Sequence, residues 1–173
     1  MAAAEVDFLL MSEAELRRWV QANPGGVNDR DRSGRTPLSV AACHLAAWRK
    51  SLSLTTWLLD EKGADVNGKS QYGNTPLHRA ASLDILNALL DRGADPTFRS
   101  NVGWSPLMYH ASFGRACLVK RLLQDPRVRA SVDMQISDGR TALHFACNFP
   151  SREPVAPLVH LLLEAGANPY RPE

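Results

Sequence analysis

Thr75-Pro76-Leu77-His78-Arg79-Ala80 is a phrase that this chain repeats. Variants of it return in Gly34-Arg35-Thr36-Pro37-Leu38, in Gly103-Trp104-Ser105-Pro106-Leu107 and in Gly139-Arg140-Thr141-Ala142-Leu143-His144. At Thr36, Thr75 and Ser105 a hydroxyl residue precedes proline, which is the chemistry of a helix start. The hydroxyl accepts from a free amide of the first turn, and proline at the first helical position lacks only an N–H that has no helical partner there. Thr141-Ala142 keeps the cap without the proline. Small residues follow, as Ala41-Ala42, Ala80-Ala81, His110-Ala111 and Ala146-Cys147, so an inner helical face can approach its neighbour closely.

A second apolar run follows each start: Trp57-Leu58-Leu59, Leu86 with Leu89-Leu90, Leu118-Val119 with Leu122-Leu123, and Leu158 with Leu161-Leu162-Leu163. Gly63, Gly93 and Gly166 stand where these runs stop, the place for a left-handed helix cap. They open a second phrase, Gly63-Ala64-Asp65-Val66-Asn67, Gly93-Ala94-Asp95-Pro96-Thr97 and Gly166-Ala167-Asn168-Pro169. From Gly63 to Gly73 and from Gly93 to Gly103 the distance is ten residues both times, a register that chance does not hold. Each unit therefore reads as cap, helix, turn, helix, glycine stop and an extended turn into the next cap.

Such a unit resembles the ankyrin repeat, whose Thr-Pro-Leu-His-x-Ala signature recurs about every 33 residues. Thr75 to Ala80 matches it throughout, and the resemblance covers about residues 28–170 in four copies. It implies an all-α fold, a solenoid of stacked helix-turn-helix units joined by β-hairpin-like turns, as a single domain over 1–173. Its expected parts are an atypical N-terminal capping repeat (1–30), repeats at 31–69, 70–99 and 100–135, and a fourth with the C-terminal end at 136–173. Ser12-Glu13-Ala14-Glu15 reads as a capping box ahead of Leu16, Trp19 and Val20. His78 and His144 close the phrase, and the resemblance implies that they hydrogen-bond between neighbouring units.

The spacing departs from the family. Turn glycine to turn glycine is 39, 30 and 36 residues. The first unit is longer around His44–Ser53, where its helices join, and the second is short between Ala81 and Ile85. The third carries a lengthened loop after Leu123, in Asp125–Ser131, and the fourth adds residues that include Pro150 and Pro154. Loop length drifts at little thermodynamic cost.

Stacked units present an extended surface rather than a deep pocket. In the ankyrin family, partner proteins bind the groove made by turn tips and first helices. The matching tips here hold Arg32, Arg35, Tyr72, Asn74, Trp104 and Arg140. The first helices contribute Phe113 and Phe149, with Cys43, His44, Ser82, Leu83, Ser112 and Asn148 beside them. Aromatics and arginine dominate binding surfaces, the rings because they bury much area with few rotatable bonds. Tyr72 and Trp104 flank turn glycines, where burial is disfavoured; Phe113 and Phe149 either join that stripe or tuck beneath a turn. The expected function is a non-catalytic interaction module, an adaptor or recognition subunit, that binds another protein or peptide. The alternative is a regulatory or substrate-recognition domain of a larger protein, such as a ubiquitin-ligase subunit. Pro169-Tyr170-Arg171-Pro172-Glu173 stops where another turn would begin, which suits a truncated chain and a complete small one alike.

Other motifs read as structure. Gly63 to Ser70 satisfies G-x-x-x-x-G-K-[ST], but a phosphate loop needs a strand before it and a helix after it. Here Thr55–Lys62 reads as helix and Gln71-Tyr72-Gly73 as turn, so no nucleotide cofactor is expected. The five histidines include no pair at metal spacing with a Cys or carboxylate, so no metal is expected either. Cys43 and His44 are adjacent and diverge by about 100° on a helix, which disfavours a nucleophile–base couple. With Cys117 and Cys147 on helices where small apolar residues belong, all three thiols read as structural. Lys120, Arg121, Arg127 and Arg129 form the densest basic cluster and read as a solvated face. Asn67 resembles the asparagine that intracellular hydroxylases modify in some family members.

Composition sets the outer bounds. At 173 residues the chain has the length of about one domain, and 45% hydrophobic residues leave enough side chain for a core. Lys+Arg 20 against Asp+Glu 18 is too balanced to announce a nucleic-acid or membrane partner. Three widely spaced cysteines make no disulfide framework, so a reducing compartment is the default. Glu5 and Asp7 stand where a secretory leader carries basic residues, and no apolar run nears the ~18 residues of a membrane span. A monomeric protein of the cytoplasm, the nucleus or both is expected, with no catalytic constellation.

Overall fold

The computed structural model describes residues 2–43, 51–148 and 155–170. They form ten α-helices and three 3-10 turns, with no strand among the described residues. They group into two compact units, Met1–Asp95 and Pro96–Glu173.

Unit 1 opens with 3-10 turns at Ala3–Glu5 and Phe8–Leu10, then α1 (Glu13–Ala22) and a third turn at Pro24–Gly26. α2 (Pro37–Ala41), α3 (Leu52–Asp60), α4 (Pro76–Arg79) and α5 (Leu83–Leu90) follow. The capping box of α1 is present: the Glu15 N–H donates to Ser12 Oγ at 3.3 Å, and the Ser12 N–H donates to the Glu15 carboxylate at 2.7 Å. Phe8 meets Trp19 edge-on at 4.8 Å beneath it. The Phe8 N–H donates to buried Asp31 at 2.9 Å, which ties this N-terminal segment to the first repeat. α2 packs on α3 and α4, and α5 packs on the same two helices. Their shared core holds Leu38, Leu54, Leu58, Leu77, Ile85, Leu86 and Leu89, all fully buried. Each such side chain stabilises the fold by about 1.5–3 kcal/mol.

Unit 2 holds α6 (Pro106–Ser112), α7 (Ala116–Leu122), α8 (Pro126–Ala130), α9 (Ala142–Cys147) and α10 (Val155–Glu164). α6 and α9 pack side by side, with α7 and α10 behind them. Leu107, Met108, Leu118, Val119, Leu122, Leu143, Leu158 and Leu162 are buried here.

Four hairpin turns repeat one geometry. At 31–35, 70–74, 100–104 and 136–140 the first residue's N–H donates to the fifth residue's carbonyl, at 2.9, 2.9, 2.8 and 3.1 Å. The fourth residue's N–H returns to the first carbonyl at 2.8 to 3.0 Å in all four. That fourth residue is always glycine with positive φ: Gly34 at 69°, Gly73 at 75°, Gly103 at 84° and Gly139 at 86°. This is a three-residue hairpin loop with its left-handed bulge position, which favours glycine.

Side-chain amides and carboxylates stitch successive repeats. Asn28 Oδ1 accepts from the Asp65 N–H at 2.7 Å, and Asn67 Oδ1 accepts from the Asp95 N–H at 2.9 Å. In unit 2, Asp133 Oδ1 accepts from the Asn168 N–H at 2.9 Å. The stop glycines expected to cap helices do so, with φ of 67° at Gly63, 84° at Gly93 and 98° at Gly166.

Several local expectations change. Asp125–Ser131 is not a plain loop: Asp125 Oδ1 accepts from the Arg127 N–H at 2.8 Å, Pro126 opens α8, and Val128 is buried. Ser82 and Leu83 do not extend a first helix. The short second repeat ends α4 at Arg79, so Ser82 caps α5 through the Ile85 N–H at 3.4 Å. Only Cys43 is a buried thiol; Cys117 and Cys147 are exposed. On α7 the buried positions are Leu118, Val119 and Leu122, and Cys117 lies about 100° round the helix from Leu118. Cys147 is the last residue of α9, after buried Ala146. His44, Phe149, Pro150 and Pro154 lie outside the described residues.

Candidate functional site

The hairpins and first helices hold the candidate residues, and each unit assembles its own set. In unit 1 Tyr72 projects from the second hairpin, 64% exposed. It lines a cleft of about 240 Å³ together with Arg35 and Asn74. Asn74 is held in place by the hairpin itself, since its carbonyl accepts from the Ser70 N–H. Arg35 is braced rather than free: its guanidinium pairs with Asp31 at 3.0 Å and with Asp7. Arg32 stands further out, its Nε 3.6 Å from Asp7, and it is absent from the cleft lining. Cys43, expected beside the groove, lines the cleft, and so do Ser70, Arg79 and Leu9, which were not expected there. The sequence signal of these last three was weak, because serine in a turn and leucine in a terminal segment are ordinary.

In unit 2 the candidates join through rings the sequence reading passed over. Trp104 is half-buried, not a free tip: it lies 4.4 Å from Phe145 and 6.3 Å edge-on from Tyr109. Its backbone N–H donates to Ser100 Oγ at 3.1 Å. Tyr109 in turn lies 5.0 Å from Phe113, which caps the end of α6 and is 39% exposed. Arg140 stacks over Phe145 at 4.8 Å, and Arg115 over Phe113 at 5.0 Å. Such ring pairs add about 0.5–1.5 kcal/mol beyond their buried area. The missed signal was Tyr109, one helical turn before Phe113.

Arg140 also pairs with Asp138 at 2.6 Å. The Arg140 hydrogen bonds hold the Asp138 carboxyl below its ordinary range despite the opposing cost of burial. Arg127 does the same to Asp125 beside α8.

The Gly63–Ser70 segment is turn, preceded by α3 and followed by the second hairpin. Five of its amides are already engaged: Ala64 N–H donates to Leu58, Asp65 N–H to Asn28, Asn67 N–H to Asp65, Gly68 N–H to Asp65 and Ser70 N–H to Asn74. A phosphate cradle needs such donors free. Asn67 uses both ends of its side chain, since Nδ2 donates to the Gly93 carbonyl at 3.2 Å. His78 and His144 place Nδ1 on their own caps, accepting from Thr75 and Thr141 N–H at 3.1 Å each. They fill the role that Glu plays in a capping box. Among the described residues no group of three or more His, Cys, Asp or Glu could hold a metal ion, and no helix is long and apolar enough to cross a membrane.

Comparison with known proteins agrees with this geometry. A family model of ankyrin repeats in three copies matches residues 4–100 and again 82–172. The chain is similar to the ANK repeat-containing protein nipk-1 of Caenorhabditis elegans, 30% identical over 162 residues, covering 83% of this chain and 26% of that protein. It is 33% identical over 147 residues to Neurogenic locus notch homolog protein 1 of Homo sapiens, covering 82% of this chain and 5% of that one. It is also 38% identical over 184 aligned positions to Transient receptor potential channel pyrexia of Drosophila melanogaster, covering 99% and 18%. The chain thus spans about a quarter or less of these relatives' own length.

Proposed function

The chain belongs to the ankyrin-repeat family, and we propose that it acts as a non-catalytic adaptor or recognition module whose hairpins and first helices bind a partner protein. Ankyrin repeats are in general protein–protein interaction modules. The observation that carries the finer reading is that each unit exposes an aromatic side chain on these elements. Tyr72 is 64% and Phe113 39% exposed, and Phe113 is buttressed by Tyr109 and covered on one side by Arg115. Rigid aromatic side chains lose little entropy on binding, which is one reason they anchor interfaces.

The test is affinity capture from cell extract, followed by quantitative binding of the captured protein. Tyr72→Ala with Trp104→Ala removes one anchor from each unit, but Trp104 supports Phe145. Tyr72→Ala with Phe113→Ala is therefore the cleaner pair, since both rings are exposed. Binding should fall at least tenfold with melting unchanged; a folded variant that binds as tightly as wild type refutes the reading.

A second reading has its own support. The stretch shared with this chain is 26% or less of each of these relatives, so the module serves as the recognition part of a larger protein under this reading. Binding that requires residues outside the 173 would favour it. Residence in the cytoplasm or nucleus, as a monomer, completes the proposal; a fluorescent fusion and light scattering test the two parts.

A further inference from the structure

The hairpin seam inside unit 2 is built differently from the one inside unit 1. In unit 1 the second residue of the later hairpin, Gln71, donates its N–H to the Gly34 carbonyl at 2.9 Å, so the two turns close on each other. The first hairpin meets the N-terminal segment in the same way, through the Arg32 N–H and the Val6 carbonyl at 3.0 Å. In unit 2 the corresponding residues are Ser137 and Gly103, and no such bond joins them. The Gly103 carbonyl accepts instead from Arg99 Nε at 2.7 Å, while Arg99 Nη2 reaches on to the Gln135 carbonyl at 2.5 Å. A guanidinium is thus wedged into the seam. A Cβ on Gly34 would overlap Gln71 of the next hairpin, whereas one on Gly103 would meet the wedge at 3.1 Å and the next hairpin only at Ile136, 3.6 Å away.

The wedge holds open a groove of about 520 Å³, lined by Arg99, Val102, Ile136 and Ser137 among others. Its chemistry is lopsided. Arg32, Arg35 and Arg140 of the hairpins each lie on an aspartate, but Arg99 is met only by carbonyl oxygens, with no carboxylate beside it among the described residues. Its two bonds run from Nε and Nη2, which leaves the Nη1 edge of the planar fork for an acceptor. The Ser137 N–H, freed by the opening, is a second donor at the groove. Val102 adds an apolar rim, 66% exposed, over buried Ile136. Arg99 is the one charged group among the described lining residues, and half-burial strengthens its pull on an anion.

We propose that this opened seam takes one acidic side chain, Asp or Glu, of a partner protein. Its carboxylate accepts from Arg99 Nη1 and the Ser137 N–H, and the neighbouring residue of the partner lies on Val102. A single guanidinium fork with one amide matches one planar carboxylate, while a phosphoryl group calls for a cluster of arginines. The inference rests on the partner-binding reading of the hairpins.

The test pans a random peptide library on the whole protein, then compares a selected peptide with its Glu→Gln or Asp→Asn counterpart by fluorescence anisotropy. An acid should be fixed at one position, and the amide counterpart should bind about tenfold more weakly. Arg99→Gln should erase the difference between the two peptides, a ratio that stays readable if the variant melts lower. Ser137→Pro removes the groove's amide at a turn position where proline fits, so it should weaken the acidic peptide several-fold with melting unchanged or raised. Gln71→Pro, at the same turn position in the closed seam, should lower melting. Equal melting losses in the two proline variants would mean that the Ser137 amide is engaged, and would overturn the groove. Peptides that weaken on Tyr72→Ala or Phe113→Ala yet carry no fixed acid, tolerate the amide, keep their preference in Arg99→Gln or gain affinity from phosphoserine in place of the acid overturn the groove and leave the binding face standing. Peptides indifferent to all three of Tyr72→Ala, Phe113→Ala and Arg99→Gln, or a library without any binder, overturn both.

Discussion

Replacing Gly34 by alanine probes the seam between the first two hairpins. Gly34 has φ of +69°, and an added methyl there would overlap the Cβ of Gln71 in the next hairpin. The two hairpins are also joined at this point by the Gln71 N–H, which donates to the Gly34 carbonyl at 2.9 Å. Gly63 supplies the control. Its φ is +67°, yet a Cβ there meets nothing within 4 Å. Left-handed backbone costs an L-residue about 1–2 kcal/mol, and both variants bear that. Gly34→Ala adds the overlap, about 1–3 kcal/mol more, because the near end of Gln71 cannot swing away without its backbone. The expected losses are therefore about 2–5 kcal/mol for Gly34→Ala and about 1–2 kcal/mol for Gly63→Ala. Urea denaturation followed by circular dichroism measures both. Equal losses would refute the packing of these hairpins, since backbone strain alone is common to the two.

Other expectations follow from single contacts. Asn67→Ala removes two hydrogen bonds to the next repeat and should cost about 1–2 kcal/mol by the same assay, with Asn67→Asp between it and wild type. Intact mass from cells would show one added oxygen if Asn67 is hydroxylated; its side chain would then keep the acceptor used here. Glu15, Asp60, Asp125 and Asp138 are all held below the ordinary carboxylate range by hydrogen bonds, from Ser12, Arg92, Arg127 and Arg140 respectively. A carboxylate that is more acidic folded than unfolded stabilises above its unfolded value of about 4, and the gain is lost as pH falls through the lower folded value. Urea midpoints should thus decline below about pH 4. Asp125→Asn keeps the cap of α8 and should make that decline shallower; an unchanged decline would exclude Asp125 as a contributor. Val128→Ala should cost about 1–3 kcal/mol because its side chain is 2% exposed under α8, where a loop residue would cost almost nothing.

What could be read before the structure was local chemistry. Thr36, Thr75 and Ser105 announce helix starts because capping and proline geometry act within four residues. Gly63, Gly93 and Gly166 announce stops for the same reason. α8 was legible in principle, since Asp125-Pro126 is that same start signal, but its place in excess length made it look like loop. Trp104 and Phe145 are 41 positions apart, and nothing in either's neighbourhood announces the stacking that half-buries the indole. The exposure of Cys117 turns on a rotation of about 100° that a run of mixed small and apolar residues does not specify. That the Ser70 hydroxyl finds no partner among the described residues is invisible in a sequence by nature: Ser100 occupies the equivalent turn position and is satisfied.

Hydrogen–deuterium exchange of the protein, free and with its captured partner, tests the central claim most directly. Slowed exchange on binding is expected at hairpins 70–74 and 100–104 and at the end of α6 around Phe113, with α3, α5, α7 and α10 unchanged. Protection confined to those four second helices, with the hairpins exchanging as before, would contradict it.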